Sequence, residues 1–184
     1  MCRRRTAGPW AAWSERGVVA GVDAGMDSSA EAPSTPLALQ LLGTVAVLRR
    51  GKPQALPASR KVRALLAYLA LAPVPPRRDQ LCELLWPVPD DPRAELRGSL
   101  SKLRPLIDSP DRPRLLAEGD AVRLDLSDVE VDARLVERAV QGGLQGLSAA
   151  QLRALLERLR GDFLHGLEID NCPQFGAWLV AQRR

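Results

Sequence analysis

The segment Arg93-Ala94-Glu95-Leu96-Arg97-Gly98-Ser99-Leu100-Ser101-Lys102-Leu103-Arg104 constrains this chain more than any other stretch of it. Leu96, Leu100 and Leu103 recur at helical spacing and make one apolar stripe. Arg93, Arg97, Ser101 and Arg104 lie on the flank beside that stripe, and Lys102 lies on its other side. A helix with these two faces buries its leucines against its own protein and leaves its cations to water or to a polyanion. Asp91 is a sound N-cap for it and Pro92 suits its first helical position, while Pro105 weakens or kinks it near its end. An ordinary surface helix with a solvated charged face fits the same pattern, so the neighbouring segments must decide.

Those neighbours have a recognisable order. Leu37–Leu42 and Thr44–Leu48 read as short strands broken at Gly43, Arg49-Arg50-Gly51-Lys52 as a tight turn, and Gln54–Leu56 as a third strand. Ser59 opens a helix whose buried face is Val62, Leu65, Leu66 and Leu69, stopped by Pro73, Pro75 and Pro76. Arg60, Lys61 and Arg63 crowd its first turn, where cations oppose the helix dipole unless a phosphate lies nearby. A second helix runs from about Arg78 to Trp86 with Leu81, Leu84 and Leu85 inward. After the third helix, Arg114–Glu118 and Ala121–Leu126 alternate around a Gly119-Asp120 turn and read as a hairpin. Strands, three helices and a hairpin make an α+β winged helix-turn-helix, with a small N-terminal antiparallel sheet and a C-terminal hairpin wing. In that arrangement the helix at about 92–107 is the one that enters a DNA major groove.

Beyond Asp132 the pattern is wholly helical. Leu135, Val136, Ala139 and Val140 mark one helix; Ser148 caps another carrying Leu152, Leu155, Leu156 and Leu159; Phe175–Arg184 begins one more. Two helices and part of a third make a poor independent core. The expected layout is a disordered tail at 1–36, a winged-helix unit at 37–126 and a partial helical unit at 127–184. The tail is rich in Gly, Ala, Ser, Asp and Pro. Its Arg3–Arg5 run lacks the apolar core of a secretory signal, and Met26 is an alternative start.

Composition narrows the function. In 184 residues the net charge is +4, so the placement of cations matters more than their total. Cys2, Cys82 and Cys172 match no zinc or redox spacing and fit a reducing cytoplasm. His165 is the one histidine. Gly51-Lys52 is not a phosphate loop, because the upstream glycine is misplaced and Pro53 follows. Paired carboxylates, a nucleophile elbow and a metal cluster are all missing, which argues against an enzyme and against any cofactor. No apolar run is long enough to cross a membrane.

Three blocks of residues carry a resemblance. Ser59–Leu69, Arg78-Asp79-Gln80-Leu81 through Leu84-Leu85-Trp86-Pro87, and Leu96 through Leu100-Ser101-Lys102-Leu103-Arg104 resemble the winged-helix domain of SARP-type regulatory activators. That domain is similar to the OmpR-type, phosphorelay output domain. Gly161-Asp162-Phe163-Leu164-His165-Gly166-Leu167, Cys172-Pro173-Gln174-Phe175, Trp178-Leu179 and Arg183 look like the opening of the tetratricopeptide-like activator domain that follows it in this family. The resemblance spans roughly residues 37–184. It implies a bacterial cytoplasmic transcriptional activator, double-stranded DNA and RNA polymerase as partners, and homodimeric or tandem binding on direct repeats. Three positions depart from the family pattern: Arg77 replaces a capping serine, Pro105 follows Arg104, and the wing turn Glu118-Gly119-Asp120 is acidic.

The candidate DNA contacts follow. Arg97 and Ser101 point most directly away from the leucine stripe, and Arg97 suits a bidentate contact to guanine. Arg93, Lys102 and Arg104 suit phosphates, as do Arg60 and Lys61 on the first helix and Arg123 on the wing. The rival reading is a winged-helix protein-interaction module that binds no DNA.

Overall fold

The computed structural model describes residues 36–88 and 90–184. The expectations for the first 35 residues, Arg3–Arg5 and Met26 included, lie outside the described residues.

β1 (Leu37–Gln40) pairs antiparallel with β2 (Ala46–Arg49), Leu39 standing opposite Val47. Arg50 and Gly51 then turn the chain at φ values of 50° and 75°. Two successive left-handed residues form the type I′ turn, whose twist matches that of a hairpin. So short a turn sets Lys52 opposite Arg49 at once, and β3 is only Lys52–Pro53. The third strand therefore precedes the Gln54–Leu56 expected from sequence. One further bond, from the Gln54 amide to the Val47 carbonyl at 2.8 Å, closes the ladder.

β1 ends at Gln40 although its apolar run continues to Leu42. The reason is Asp132, a buried carboxylate. It accepts hydrogen bonds from the Leu41, Leu42 and Ala133 amides at 2.8, 3.0 and 2.7 Å. One side chain thus ends a strand and starts a helix.

Three helices follow, α1 (Arg60–Leu71), α2 (Arg78–Leu85) and α3 (Pro92–Ile107). Each buries its leucine stripe in one shared core, and α3 packs against both α1 and α2. At α2 the Arg77 amide donates to Gln80 Oε1 at 2.9 Å. A guanidinium has no acceptor, so the reciprocal half of a serine-type capping box is missing. β4 (Leu115–Glu118) and β5 (Ala121–Leu124) form the hairpin with Glu118 opposite Ala121. Its far side is tied to the start of α2: the Val122 amide donates to the Pro76 carbonyl at 2.9 Å, and the Arg78 amide to the Asp120 carbonyl at 2.8 Å.

β6 (Val129–Val131) runs parallel to β1 and gives a sheet of order β3-β2-β1-β6. The sequence reading did not foresee it. The remaining helices are α4 (Asp132–Gly142), α5 (Ala149–Leu156) and α6 (Pro173–Gln182). α6 packs on α2 and buries Phe175 and Leu179 in the same core as the helices before it. Trp178 meets Tyr68, Phe163 and Phe175 with ring centroids 5.2, 5.8 and 5.4 Å away. Arg183 donates to the Phe163 and Leu164 carbonyls at 2.8 and 3.0 Å. The weak independent core expected of the C-terminal segment is supplemented in this way by the unit before it.

A buried guanidinium joins the parts. Arg114 donates to Asp128 through Nε at 2.9 Å and Nη2 at 2.6 Å, to the Ile107 carbonyl at 2.8 Å and to Ser109 Oγ at 3.0 Å. Asp108 Oδ1 accepts from the Arg114 and Leu115 amides at 2.7 and 2.9 Å. The end of α3, the start of β4 and the approach to β6 meet at this one side chain.

Asp128→Asn should lower stability at neutral pH by about 3 kcal/mol, because it leaves the Arg114 charge buried with only neutral acceptors around part of it. Hydrogen bonds from Arg114 hold the Asp128 carboxyl below the usual carboxylate range. A carboxylate lowered in the folded state stabilises the fold above its unfolded pKa, about 4, and loses that contribution as pH falls through its folded value. Urea titrations should therefore show the wild type losing stability more steeply than the variant below about pH 4. Identical acid limbs would contradict this assignment.

Candidate nucleic-acid interface

α3 begins where the sequence placed it. Asp91 Oδ1 accepts from the Ala94 amide at 2.8 Å, Pro92 occupies the first turn and Glu95 complements the dipole. The helix also runs through Pro105, which was expected to weaken or kink it. Its last carbonyls find partners on other elements. Arg49 Nη2 donates to the Leu106 and Asp108 carbonyls at 2.9 and 3.0 Å, and Arg114 takes that of Ile107. Helix ends leave their final carbonyls without partners, and two guanidiniums, one on β2 and one just before β4, supply them here.

The roll of α3 follows from its buried residues, Leu96, Ser99, Leu100, Leu103 and Ile107. Arg97, Gly98, Ser101 and Lys102 are exposed on the other side. Between the start of α2 and this face lies a concavity of about 350 Å³, floored by Leu96 and Leu100 and lined by Arg78, Arg93, Arg97, Ser101 and Arg104. Four guanidiniums line one open groove, Arg93 and Arg104 being paired with Asp79 and Asp108, and the whole makes an anion-attracting surface. A planar guanidinium can grip a phosphate or a guanine edge with two parallel hydrogen bonds.

The groove brings together Arg93, Arg97, Ser101 and Arg104 of the sequence-derived set and adds Arg78. Arg78 was missed, although a signal was present. Arg77 and Arg78 oppose the dipole at the opening of α2, just as Arg60 and Lys61 do at α1. Arg97, Lys102 and the Arg78 side chain make no ion pair among the described residues. Arg93 is bound to Asp79 at 2.6 Å, which holds its guanidinium more firmly charged. Arg104 also donates to the Leu115 carbonyl at 3.3 Å, so it ties α3 to the hairpin.

The other expected contacts stand apart from the groove lining. Arg60 reaches the Glu168 carbonyl at 3.5 Å. Lys61 is half-buried over the Trp86 ring, 5.9 Å from its centroid. Arg60 therefore faces the segment leading into α6, and Lys61 the end of α2. Arg123 pairs with Glu118 across the hairpin, and Arg77 lies 3.5 Å from Asp120. The acidic turn of the hairpin is thus matched by two nearby guanidiniums. Cys82 and Cys172 are buried, which pushes both thiols up. Among the described residues no group of three or more His, Cys, Asp or Glu could hold a metal ion, and no helix is long and apolar enough to cross a membrane.

No protein-family model and no curated protein matches the chain. Among solved structures it is similar to Mycobacterium tuberculosis EmbR in complex with a low-affinity phosphopeptide, with a TM-score of 0.63 and 26% identity. The match covers 79% of this chain and 41% of that one, so the chain spans about two fifths of its neighbour's length. EmbR is a SARP-family transcriptional regulator. The resemblance read from the residues is thus found again in three dimensions.

Gly98 lies inside α3 with open space where a side chain would begin. Gly98→Ala should therefore stabilise the protein by about 0.5–1 kcal/mol, through the lower backbone entropy of the unfolded chain. A rise in melting temperature checks this, and a fall would mean that the position is crowded.

Proposed function

We propose that this chain, which resembles SARP-type regulators in residues and in fold, binds double-stranded DNA sequence-specifically and activates transcription. The observation that carries the reading is the four-arginine groove on the outer face of a helix whose leucines are locked in the core. In this reading residues 37–126 form a winged-helix unit, α2 and α3 its helix-turn-helix, and the β4–β5 hairpin its wing. Residues 127–184 form the start of a helical activator unit. α3 lies in the major groove, where Arg97 contacts a guanine edge and Ser101 lets the helix approach closely. Arg78, Arg93, Lys102 and Arg104 bind phosphates and set the register. Arg60, Lys61 and Arg123, each engaged elsewhere, contribute less. The action is regulatory, not enzymatic, and needs no cofactor. It takes place in the cytoplasm, on direct repeats bound by two copies, with RNA polymerase as the protein partner.

The charge-matched acidic wing favours a second reading, a protein-interaction module. Selection of bound duplexes from a random pool separates the two. A DNA binder yields a motif and elutes from DNA at a defined salt concentration, whereas an interaction module is not retained.

Two substitutions test the assigned roles. Arg97→Ala should weaken binding to the selected duplex by about 1–3 kcal/mol and relax preference at one base pair; unchanged affinity in a mobility-shift assay contradicts the base contact. Lys102→Ala should weaken all duplexes about equally and lower the salt slope by about one ion. A loss confined to one sequence would reassign Lys102 to base reading.

A further inference from the structure

Arg93 sits in the first turn of α3, where a cation opposes the helix dipole. Asp79, in the first turn of α2, reaches across to it. Asp79 Oδ1 accepts from Arg93 Nη2 at 2.6 Å and from Nε at 3.2 Å. The two side chains are 55% and 56% exposed, and pairs so exposed contribute little to folding. The contact does, however, fix the direction of a groove-lining guanidinium. A guanidinium carries five N–H groups, and Asp79 occupies the Nε edge and one of the Nη2 hydrogens. The Nη1 hydrogens and the other Nη2 hydrogen remain available in a fixed orientation.

We propose that Asp79 is a specificity-determining residue, which holds Arg93 at the lip of the groove and cancels its charge towards duplexes that do not fit. The inference rests on the DNA-binding reading above. Loose binding to DNA is almost entirely phosphate attraction. A cation that shares its charge with a carboxylate adds little to it, and the carboxylate repels a phosphate that arrives in the wrong place. In a fitted complex a phosphate meets the free edge of the held guanidinium, and the ordering has already been done. Asp79 therefore opposes misplaced DNA more than well-placed DNA, which is how a repulsive group creates discrimination.

The test uses the full chain, a duplex selected by the wild type from a random pool, and a scrambled duplex of equal length and composition. Asp79→Asn should tighten binding to the scrambled duplex more than to the selected one. The ratio of the two affinities should fall about three- to tenfold, the equivalent of about one surface charge contact. The salt slope on the scrambled duplex should rise by about one ion. Asp79→Glu should keep most of the ratio, and Asp79→Asn should have no such effect in an Arg93→Gln background. Melting temperatures of the variants show that the fold is kept. An unchanged ratio, or equal weakening on both duplexes, overturns the assignment while DNA binding stands. A wild type that selects no duplex overturns both.

Discussion

The end of α3 is held by two arginines, one on β2 and one just before β4. Arg49 donates to the Leu106 and Asp108 carbonyls, and Arg114 donates to that of Ile107. These are the groups a helix cannot satisfy by itself, and positive charge at this end also complements the dipole. The tilt of α3 is thereby referenced to the four-stranded sheet on one side and to the hairpin on the other. Arg114 is 3% exposed and its charge is balanced by Asp128, so the clamp cannot slide without stranding a buried ion. The leucine stripe fixes the remaining freedom, the rotation of α3 about its own axis.

A clamp at the end and a seam along the side leave one face outward with its direction set. What that face can attract depends on which cations the protein leaves unspent. Arg112 is engaged with Asp125 and Asp128, Arg158 with Glu130, Arg183 with Glu168 and Arg123 with Glu118. Arg78, Arg97 and Lys102 have no such pairing among the described residues, and all three lie on α3 or at the α2 end beside it. A net charge of only +4 is thus compatible with a concentrated positive surface, because Arg112, Arg114, Arg123, Arg158 and Arg183 are neutralised by ion pairs elsewhere.

Local periodicity and local caps made most of this readable from the residues. The leucine spacing of α1, α2 and α3, the Asp91-Pro92 start and the Gly119-Asp120 turn all act within a few residues. What escaped acts at long range. β6 is three residues with a parallel partner far away in the chain. Asp132 looked like the first residue of a helix, and its strand-ending bonds to Leu41 and Leu42 depend on a fold that periodicity does not describe. Pro105 reads as a weak point near the end of a helix that still runs to about 107, and the side chains that take the last carbonyls of α3 lie on other elements. Arg78 was overlooked because its neighbours in the groove belong to α3, not to its own helix. Arg60 and Lys61 show the same dependence on distant partners. Their local charge pattern pointed to phosphate, whereas the fold sets them beside Glu168 and Trp86.

Methylation interference measures most directly whether that outward face meets base edges. A methyl group on guanine N7 projects into the major groove, and one on adenine N3 into the minor groove. If α3 lies where its exposed arginines indicate, N7 methylation of particular guanines in a selected duplex abolishes binding, and N3 methylation of the adenines beside them is tolerated. Interference at N3 alone, or binding indifferent to both, would show that the helix does not occupy the major groove.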